Sequence, residues 1–491
     1  MLHILLSYFI ICIVFNTLRR LDMAIPQEIL KLKPKNTRIK ATSKPNEYNV
    51  IARTSKRVNG KIKPVELGVI GKIIDGVYYP NKKEKYEIDT KTYGHVKFVD
   101  NLCRDLFKDL IEVYPIEDAK KLYLIALLRA TNPDIKNEEI EIEYKTTFAS
   151  EFFSGVGLSS DTLSNFLDKI GKASTLSDKF MLNRIEKMMS KNVVVDGMLK
   201  SNNSITNNYS EFSRKGRIKG SKDVSILYAY SLDVEEPLAV GVYPGNMLDH
   251  TSFSDFIDNY SLTDSFIIVD KGFDVKTLKE KMIEKNLSYL CPIKKGRKEV
   301  KAIAKQKFNT SFVFEEDTIR GTHVEINGKH YYAYISSKEM ANQARGYLDK
   351  NIRNDTFDAD EFEEMNDFGM IIFESNNPSI DIYSAYKAYK ERWDIENLFR
   401  KYKNIIDRSE VNVHGNYRLQ ATEFINFISC IMVMRMKKQL FKYHLEKKYS
   451  LPMVIRLLSK IIKKRSLRLD NTWLPCKSLK YIDELAKTLG V

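Results

Sequence analysis

The spacing of apolar and polar residues changes along the chain, and the first two spacing patterns lie before residue 190. Residues 23–95 carry short strand-like runs such as YNVIART and VELGVIGKII among many lysines, with a predicted hairpin turn at Asn59-Gly60. Residues 96–190 change to apolar spacings of three and four behind Ser and Asp residues, which predicts a succession of helices. We therefore expect a basic, β-rich N-terminal module followed by a helical region. Both could contact DNA, although a solvated sheet and core-packing helices explain the same patterns.

Strands and helices alternate after residue 191. The run NVVVDGM predicts a short buried strand that ends in an acid, Asp196, and VSILYAYSL and PLAVGVYP predict two more strands. A helix around SFSDFIDNY, a strand SFIIVD ending in Asp270, a helix VKTLKEKMIEKN and a strand LSYLCPI follow. This β-β-β-α-β-α-β order predicts antiparallel strands leading into parallel crossovers in one mixed sheet. The fold class is therefore α/β, with the strand order of a ribonuclease-H-like core.

A charged segment interrupts this core at about residues 297–365. It contains the strand-like runs HVEI and HYYAYIS, so we expect a β-rich insertion. The core resumes with the strand FGMIIFES and a helix, and it extends over residues 191–440. Residues 441–491 are basic and follow a helical period, which predicts a helical C-terminal region.

The first residues need a separate interpretation. Residues 2–15 are continuously apolar and are followed by Arg19 and Arg20. The run is short for a membrane span and has neither a basic n-region nor a small-residue cleavage site. A start codon assigned too far upstream explains it better, with Met23 as the true start, so we expect residues 1–22 to play no part in the fold and membrane association to be absent.

Charge indicates the kind of partner. The chain holds 79 Lys and Arg residues against 64 Asp and Glu residues, and the net charge of +15 is spread from end to end. Such an excess favours a partner with a large negative field, nucleic acid first, although a basic soluble protein without such a partner has the same balance. Five cysteines lie far apart without a CxxC pair, which indicates neither a zinc site nor a disulfide framework and favours a reducing cytoplasm.

Three acidic residues are candidates for catalysis. Asp196 and Asp270 each end an apolar strand run, and ligands gather at the carboxyl edge of open α/β sheets. Glu396 lies on the helix that follows the last strand. Three carboxylates brought together repel one another unless cations neutralise them, and Mg²⁺ suits such an all-oxygen site. Two ions about 3.5–4 Å apart support phosphodiester chemistry. Either Asp taken alone is better explained as a helix cap or a turn residue.

The helical stretch YKERWDIENLFRKYKN, residues 389–404, separates two faces. At about 100° per residue, a sector of roughly 60° holds four side chains: Tyr389, Arg392, Glu396 and Lys403. The apolar stripe beside this sector is formed by Ile395, Leu398, Phe399, Tyr402 and Ile406. A salt-bridged surface helix would place its charges opposite the stripe. The polar row at the border of the buried face therefore predicts a functional site.

The same four residues carry a family resemblance. Their spacing, Tyr389-x2-Arg392-x3-Glu396-x6-Lys403, matches the YREK signature of bacterial insertion-sequence DDE transposases without a gap or substitution. Three further segments resemble blocks near the first and second Asp of that family: GSKD (220–223), YPGNMLDH (243–250) and IIVDKGFD (267–274). The resemblance covers approximately residues 25–440.

The resemblance implies a metal-dependent enzyme. Asp196, Asp270 and Glu396 would form the triad that binds Mg²⁺, with two ions expected and Mn²⁺ able to substitute. The implied activity is cleavage of double-stranded DNA at the ends of a mobile element, followed by transfer of the freed 3′ hydroxyl into target DNA. The family implies a homodimer on paired ends, no small-molecule cofactor, and a place at the nucleoid in the bacterial cytoplasm.

The rest of the signature would bind DNA. By resemblance, Arg392 and Lys403 contact phosphates of the element end, and Tyr389 supports a distorted or flipped end base, in keeping with the general roles of such side chains. Two positions depart from the family pattern. Met198 stands where Thr is common two residues after the first Asp, and Lys271 stands where Arg often follows the second Asp.

Two other functions stay open. A DNA endonuclease with the same core would hydrolyse DNA without strand transfer, and a domesticated transposase would bind DNA without catalysis, usually with a degraded triad. The complete set of acids and the YREK spacing favour the transposase. A phosphatase with an Asp nucleophile would need a second acid at position 198, where the chain has Met198, and the sequence contains no Walker loop for ATP.

Overall fold

The computed structural model describes residues 25–58, 61–81, 88–189, 191–202, 204–213, 220–365, 367–392, 413–466 and 472–491. The leader expected over residues 1–22, the start at Met23 and the turn at Asn59-Gly60 lie outside the described residues. The chain divides into two compact units, one of residues 1–89 with 465–472 and one of residues 90–464 with 473–491.

The first unit is built on a four-stranded antiparallel sheet. Its strands pair in chain order: β1 (Thr37–Ala41), β2 (Glu47–Val58), β3 (Lys61–Ile74) and β4 (Val77–Pro80). A short helix α1 (Gln27–Lys31) precedes them. Three fully buried side chains form the centre of a small core, namely Ile39, Val50 and Ile73. The alternation of apolar residues with lysines in this stretch thus produces strands whose apolar side chains pack together in this small core.

Helices dominate the second unit up to residue 188, after the strand β5 (Ile88–Thr92). They are α2 (Gly94–Ile111), α3 (Ile116–Thr131), α4 (Ile140–Thr146), α5 (Ala149–Phe152), α6 (Ser160–Lys172) and α7 (Ser174–Met188). The side chain of Ser159 accepts a hydrogen bond from the backbone N–H of Thr162 and caps α6. The predicted succession of helices in this stretch is therefore present.

A nine-stranded mixed sheet forms the middle of the second unit. Its strands lie in the order β11 (Thr310–Phe314), β12 (Asp317–Ile326), β13 (Lys329–Ser336), β14 (Met370–Ser375), β10 (Ser288–Pro292), β9 (Phe266–Ile268), β6 (Asn192–Ser201), β7 (Asp223–Ser231) and β8 (Glu236–Pro244). The first part along the chain comprises β6 (Asn192–Ser201), β7 (Asp223–Ser231), β8 (Glu236–Pro244), α8 (Asp249–Asn259), β9 (Phe266–Ile268), α9 (Lys276–Glu284) and β10 (Ser288–Pro292). β6, β7 and β8 pair antiparallel, whereas β6, β9 and β10 pair parallel. The predicted α/β class and strand order are confirmed, with the mixed sheet of a ribonuclease-H-like core.

The segment predicted as an insertion extends this sheet. It contains α10 (Lys298–Ala304), β11 (Thr310–Phe314), β12 (Asp317–Ile326), β13 (Lys329–Ser336), α11 (Ser337–Arg353) and α12 (Ala359–Glu364), and β14 (Met370–Ser375) follows. β13 pairs antiparallel with β14, and β14 pairs antiparallel with β10. The inserted strands therefore continue the hydrogen-bonded ladder of the core.

The last part of the chain contains strands as well as helices. After α13 (described over residues 382–392) come α14 (Asn416–Lys442), α15 (Leu451–Leu458), β15 (Ile462–Ser466), β16 (Leu474–Pro475) and α16 (Lys480–Thr488). The region predicted to be helical therefore contains two short strands beside its helices. Ile462–Ser466 carries an apolar-basic pattern that fits a helix locally, but antiparallel pairing with β16 gives it a strand conformation.

Helix α14 is the central helix of the second unit. It is 27 residues long, buries side chains on all sides, and packs against α3, α6 and β8. A helix that is apolar all round is expected in the interior of a protein. Among the described residues, no helix is long and apolar enough to cross a membrane.

The crossing of α6 and α14 depends on a glycine. A Cβ placed on Gly171 would lie 1.9 Å from the backbone carbonyl oxygen of Tyr417, at the start of α14. That contact is too close for any side chain, and backbone atoms cannot rotate away as a flexible side chain can. The two helix backbones can approach this closely because Gly171 has no Cβ.

Replacing Gly171 with alanine should separate these helices. We expect Gly171→Ala to lower the free energy of unfolding by about 2–3 kcal/mol, the cost of overpacking a tight contact. The control is Gly346→Ala on the exposed face of α11, where no atom lies within 4 Å of the added Cβ. That change should leave stability equal or raise it by about 0.5–1 kcal/mol. Thermal unfolding of both variants measures the difference, and equal melting temperatures would contradict the assigned contact.

Helix α2 buries a histidine, His95. The side chain of His95 is 4% exposed, and its Nδ1 atom has no hydrogen-bond partner in the described part of the chain. Burial lowers the pKa of His95 to about 4, because a charged imidazolium loses its hydration there. The folded protein therefore keeps this ring neutral over a range in which an unfolded chain would protonate it.

Stability should consequently fall as the pH falls from about 6.5 to about 4. In this window the unfolded chain binds a proton that the folded protein rejects, a cost on the order of 3 kcal/mol across the interval. We expect His95→Leu to remove that part of the pH dependence. The free energy of unfolding of the variant should therefore rise relative to that of wild type as the pH falls. Urea unfolding at several pH values measures it, and parallel curves would count against the buried neutral histidine.

Candidate functional site

Asp196 lies within a strand, which corrects the expectation that the strand ends there. Strand β6 continues to Ser201, with Asp196 opposite Tyr228 of β7. The apolar run does stop at Val195, but backbone pairing with β7 needs no apolar side chains, so the ladder goes on. The carboxylate is half-buried, and its Oδ1 atom accepts a hydrogen bond of 2.9 Å from the N–H of Gly197.

Asp270 lies just outside the sheet. It comes two residues after β9 and begins a short 3₁₀ turn, Lys271–Phe273. The parallel register of β6 and β9 ends at the pair Val194 and Ile268, so Asp196 and Asp270 each follow the last pair of this ladder by two residues. The two acids therefore come after the same end of the β6–β9 ladder.

The described part of α13 brings two more predicted residues to this place. Nη2 of Arg392 lies 3.5 Å from Oδ1 of Asp270, and the guanidinium is 5.2 Å from the ring centre of Tyr389. Arg392 is 2% exposed and Tyr389 is 7% exposed, with the tyrosine ring 4.4 Å from that of Phe373. Arg392 thus lies against the carboxylate of Asp270 and partly neutralises it.

Two predicted residues cannot be placed. Glu396 and Lys403 fall within residues 393–412, outside the described part of the chain. Among the described residues, no group of three or more His, Cys, Asp or Glu side chains could hold a metal ion. The two described acids do fit the donor type that Mg²⁺ prefers, because both offer carboxylate oxygens.

A cavity of about 390 Å³ opens beside Asp270. Its polar lining consists of Asp270, Lys271, Lys295, Ser336, Glu339, Gln343, Tyr386, Tyr389 and Lys390, and apolar residues such as Ile293, Val300 and Ile372 line the rest. Three lysines and two carboxylates therefore face the cavity, and one of the lysines, Lys295, also pairs with Asp367 at 3.2 Å. The cavity beside Asp270 thus carries charges of both signs.

The turn that carries Asp270 is held at its far end by a second acid. The side chain of Asp274 is fully buried, and its Oδ1 atom accepts hydrogen bonds of 2.7 Å from both Lys279 and Arg297. This buried anchor lies four positions after Asp270 in the sequence. The position of the turn is therefore coupled to α9 and to the loop before α10.

Glu374, the fifth of the six residues of β14, completes this buried network. Its carboxylate is fully buried and lies 2.9 Å from Nζ of Lys279 and 2.9 Å from Nζ of Lys329. The hydroxyl of Tyr289 donates a further hydrogen bond of 2.9 Å. Burial alone would raise the pKa of Glu374, but the charge of Lys279 and the hydrogen bonds hold it below its usual range. The acid is thus ionised and paired at neutral pH.

Sequence reasoning did not identify this network, although two signals were available. Asp274 is a second acid in the segment DKGFD, and Glu374 is an acid inside the apolar run MIIFES. A buried acid in a strand is rare unless it is paired. Its partners come from α9, β13 and the loop before α10, and no local pattern reveals them.

No curated protein matches this sequence significantly. Among the solved structures that do match is a piggyBac transposase synaptic complex with hairpin DNA, at 11% identity and a TM-score of 0.36, covering 75% of this chain and 79% of that chain. That likeness is too low to support an inference about fold or function.

The family comparison is more specific. Residues 205–432, just under half of the chain, match the family model described as the transposase DDE domain. The range begins after Asp196 and includes Asp270, Tyr389 and Arg392. The segment that carries most of the candidate site therefore matches a transposase DDE domain.

Proposed function

We propose that this protein is a bacterial insertion-sequence transposase that cleaves DNA at the ends of its element and transfers the freed strand into target DNA. The observation that supports the proposal is that Asp196 and Asp270 each follow the last pair of the parallel β6–β9 ladder, Val194 and Ile268, by two residues. The match of residues 205–432 to a transposase DDE domain supports it. Glu396, which follows the described part of α13 in the sequence, is the proposed third acid.

The three acids would hold two divalent cations. Asp196 and Asp270 supply oxygen ligands at the end of β9, and Mg²⁺ accepts such ligands, with Mn²⁺ able to substitute. When bound, the ions supply activation of the attacking oxygen and stabilisation of the leaving oxygen in phosphodiester cleavage. Arg392 keeps the carboxylate of Asp270 oriented through its contact of 3.5 Å.

The surroundings suit a DNA strand. Lys271, Lys295 and Lys390 line the cavity beside Asp270 and would attract backbone phosphates. Tyr389 also lines that cavity and is proposed to support an end base, while Lys403 is proposed to contact a phosphate. A homodimer on paired ends, at the nucleoid, completes the proposal. A nuclease with the same core would cut the DNA but would not join the 3′ hydroxyl to a target, so a strand-transfer assay separates the two functions.

Removing either described acid should abolish catalysis without abolishing DNA binding. Asp196→Asn and Asp270→Asn keep the side-chain shape but remove the charge that a cation needs, and Glu396→Gln should act in the same way. We expect Mg²⁺-dependent cleavage of DNA containing the regions that flank the gene to fall to background, with binding measured separately in EDTA. Asp360→Asn, on exposed α12, is the matched control and should cleave normally. Full cleavage by any of the first three variants would break the triad.

The buried anchor should affect how the site responds to metal. Asp274→Asn weakens the hold of Lys279 and Arg297 on the turn that carries Asp270, so we expect cleavage or apparent Mg²⁺ affinity to fall by about 10- to 100-fold, as is typical of residues that orient metal ligands. DNA affinity in EDTA should stay the same. The measurement is a Mg²⁺ titration of cleavage below the melting temperature of the variant.

A matched control tests a surface ion pair instead. Asp258 is 45% exposed and pairs with Lys281 and Lys285 on the neighbouring α9 region. Asp258→Asn removes the same charge from an exposed position, where ion pairs contribute little, and its Mg²⁺ titration should match wild type. A wild-type titration for Asp274→Asn would show that the anchor does not position Asp270.

A further inference from the structure

The distal halves of β2 and β3 extend beyond the sheet of the first unit as a two-stranded ribbon. β1 pairs with β2 as far as Ala52, and β4 pairs with β3 from Gly71 onward. Residues 54–58 and 61–65, here called the basic ribbon, pair with each other and with no other strand that the structure describes. Because no layer covers the ribbon, packing against a core does not explain its length.

The base of the ribbon is irregular. The register between β2 and β3 shifts twice, between Val50 and Ile51 and between Ala52 and Arg53. On the opposite strand, Gly68 has a φ of 128°, which favours glycine because it has no Cβ. Such bulges bend a strand and increase its twist. They mark the boundary between the packed sheet and the ribbon.

The basic ribbon contributes nothing to the core of its unit. That core is formed by Ile39, Val50 and Ile73 with partly buried neighbours, all outside the ribbon. Ile62 is 72% exposed. The charged side chains of the ribbon are also exposed, namely Lys56, Arg57, Lys61 and Lys63. Its ten residues contain four basic side chains and no acid.

The three lysines of the basic ribbon lie on one face of it. Lys56 lies directly opposite Lys63, and Lys61 occupies the next position on the same face, two residues from Lys63. Like charges directly opposite each other destabilise a strand pair, and the ribbon holds no carboxylate to compensate. An external polyanion would relieve this repulsion, so the face has the charge pattern of a binding surface.

We propose that the basic ribbon binds the backbone of double-stranded DNA through Lys56, Lys61 and Lys63. The major groove of B-form DNA is about 12 Å wide and admits a two-stranded β-ribbon, whereas the major groove of A-form RNA is too narrow for side chains to enter. The lysines then contact phosphates at the groove edge, independently of base sequence. This inference rests on the proposed function, because it takes DNA as the substrate.

Salt dependence tests the ribbon directly. The variant Lys56→Gln/Lys61→Gln/Lys63→Gln is compared with wild type on a fluorescent mixed-sequence duplex of about 30 base pairs, three helical turns, in EDTA. Each phosphate contact contributes about 0.9 to the slope of log K against log salt. We expect the slope to fall by about 2 to 3 and the affinity to fall on the order of tenfold or more. The charge-preserving triple Lys→Arg variant should bind as wild type does.

A second triple variant controls for net charge. Lys145, Lys276 and Lys480 each lie four residues from a glutamate partner on a helix outside the ribbon. Changing these three to Gln removes the same charge and should leave the salt slope unchanged. Melting temperatures of all the variants verify folding, which the exposed positions are expected to preserve.

Three outcomes would contradict the proposal that the basic ribbon binds DNA. They are an unchanged salt slope in the ribbon variant, an equal loss of slope in the control triple variant, and an RNA duplex that competes for the protein as well as DNA does. Failure of the proposed function is a separate result. A wild-type protein that never cleaves or joins DNA, while the ribbon variant still loses affinity, would refute the catalytic proposal and support the ribbon.

Discussion

The parallel pairing between β6 and β9 is the constraint on which the candidate site depends. It comprises three residue pairs, and the neighbouring β10 pairs with the same residues of β9 from the other side. β9 is therefore held in register from both edges although it is short. A slip by one residue would turn one acid to the opposite face of the sheet. The proposed function, in which Asp196 and Asp270 act together, depends on this register.

Asp270 has charged side chains on two sides. Arg392 contacts its carboxylate directly, and the turn behind it ends in the buried Asp274. Pairing such charges inside a protein gains little stability, because the cost of desolvation offsets the attraction. The gain is geometric, since Lys279 joins Asp274 to Glu374 of β14 and so connects the turn to the sheet. A site that binds cations needs ligands held this firmly.

Local patterns predict those features whose cause is local. Alternation and apolar runs predict the β-β-β-α-β-α-β order, because burial of one strand face leaves that trace in the sequence. Strand ends are less visible: β6 passes through Asp196 because β7 continues to pair with it. The residues of β15 likewise fit a helical pattern locally, but pairing with the partner strand β16 gives them a strand conformation. The buried network joins residues up to one hundred positions apart, from Asp274 to Glu374, so no short pattern contains it.

In the proposed function, Asp196 and Asp270 bind one divalent cation between them. Anomalous diffraction from crystals of the full chain grown with Mn²⁺ can locate that ion, since Mn²⁺ scatters strongly and stands for Mg²⁺. We expect a peak at about 2.0–2.2 Å from a carboxylate oxygen of each residue. A crystal whose Mn²⁺ ions all lie away from these two acids, or contact only one of them, would contradict it.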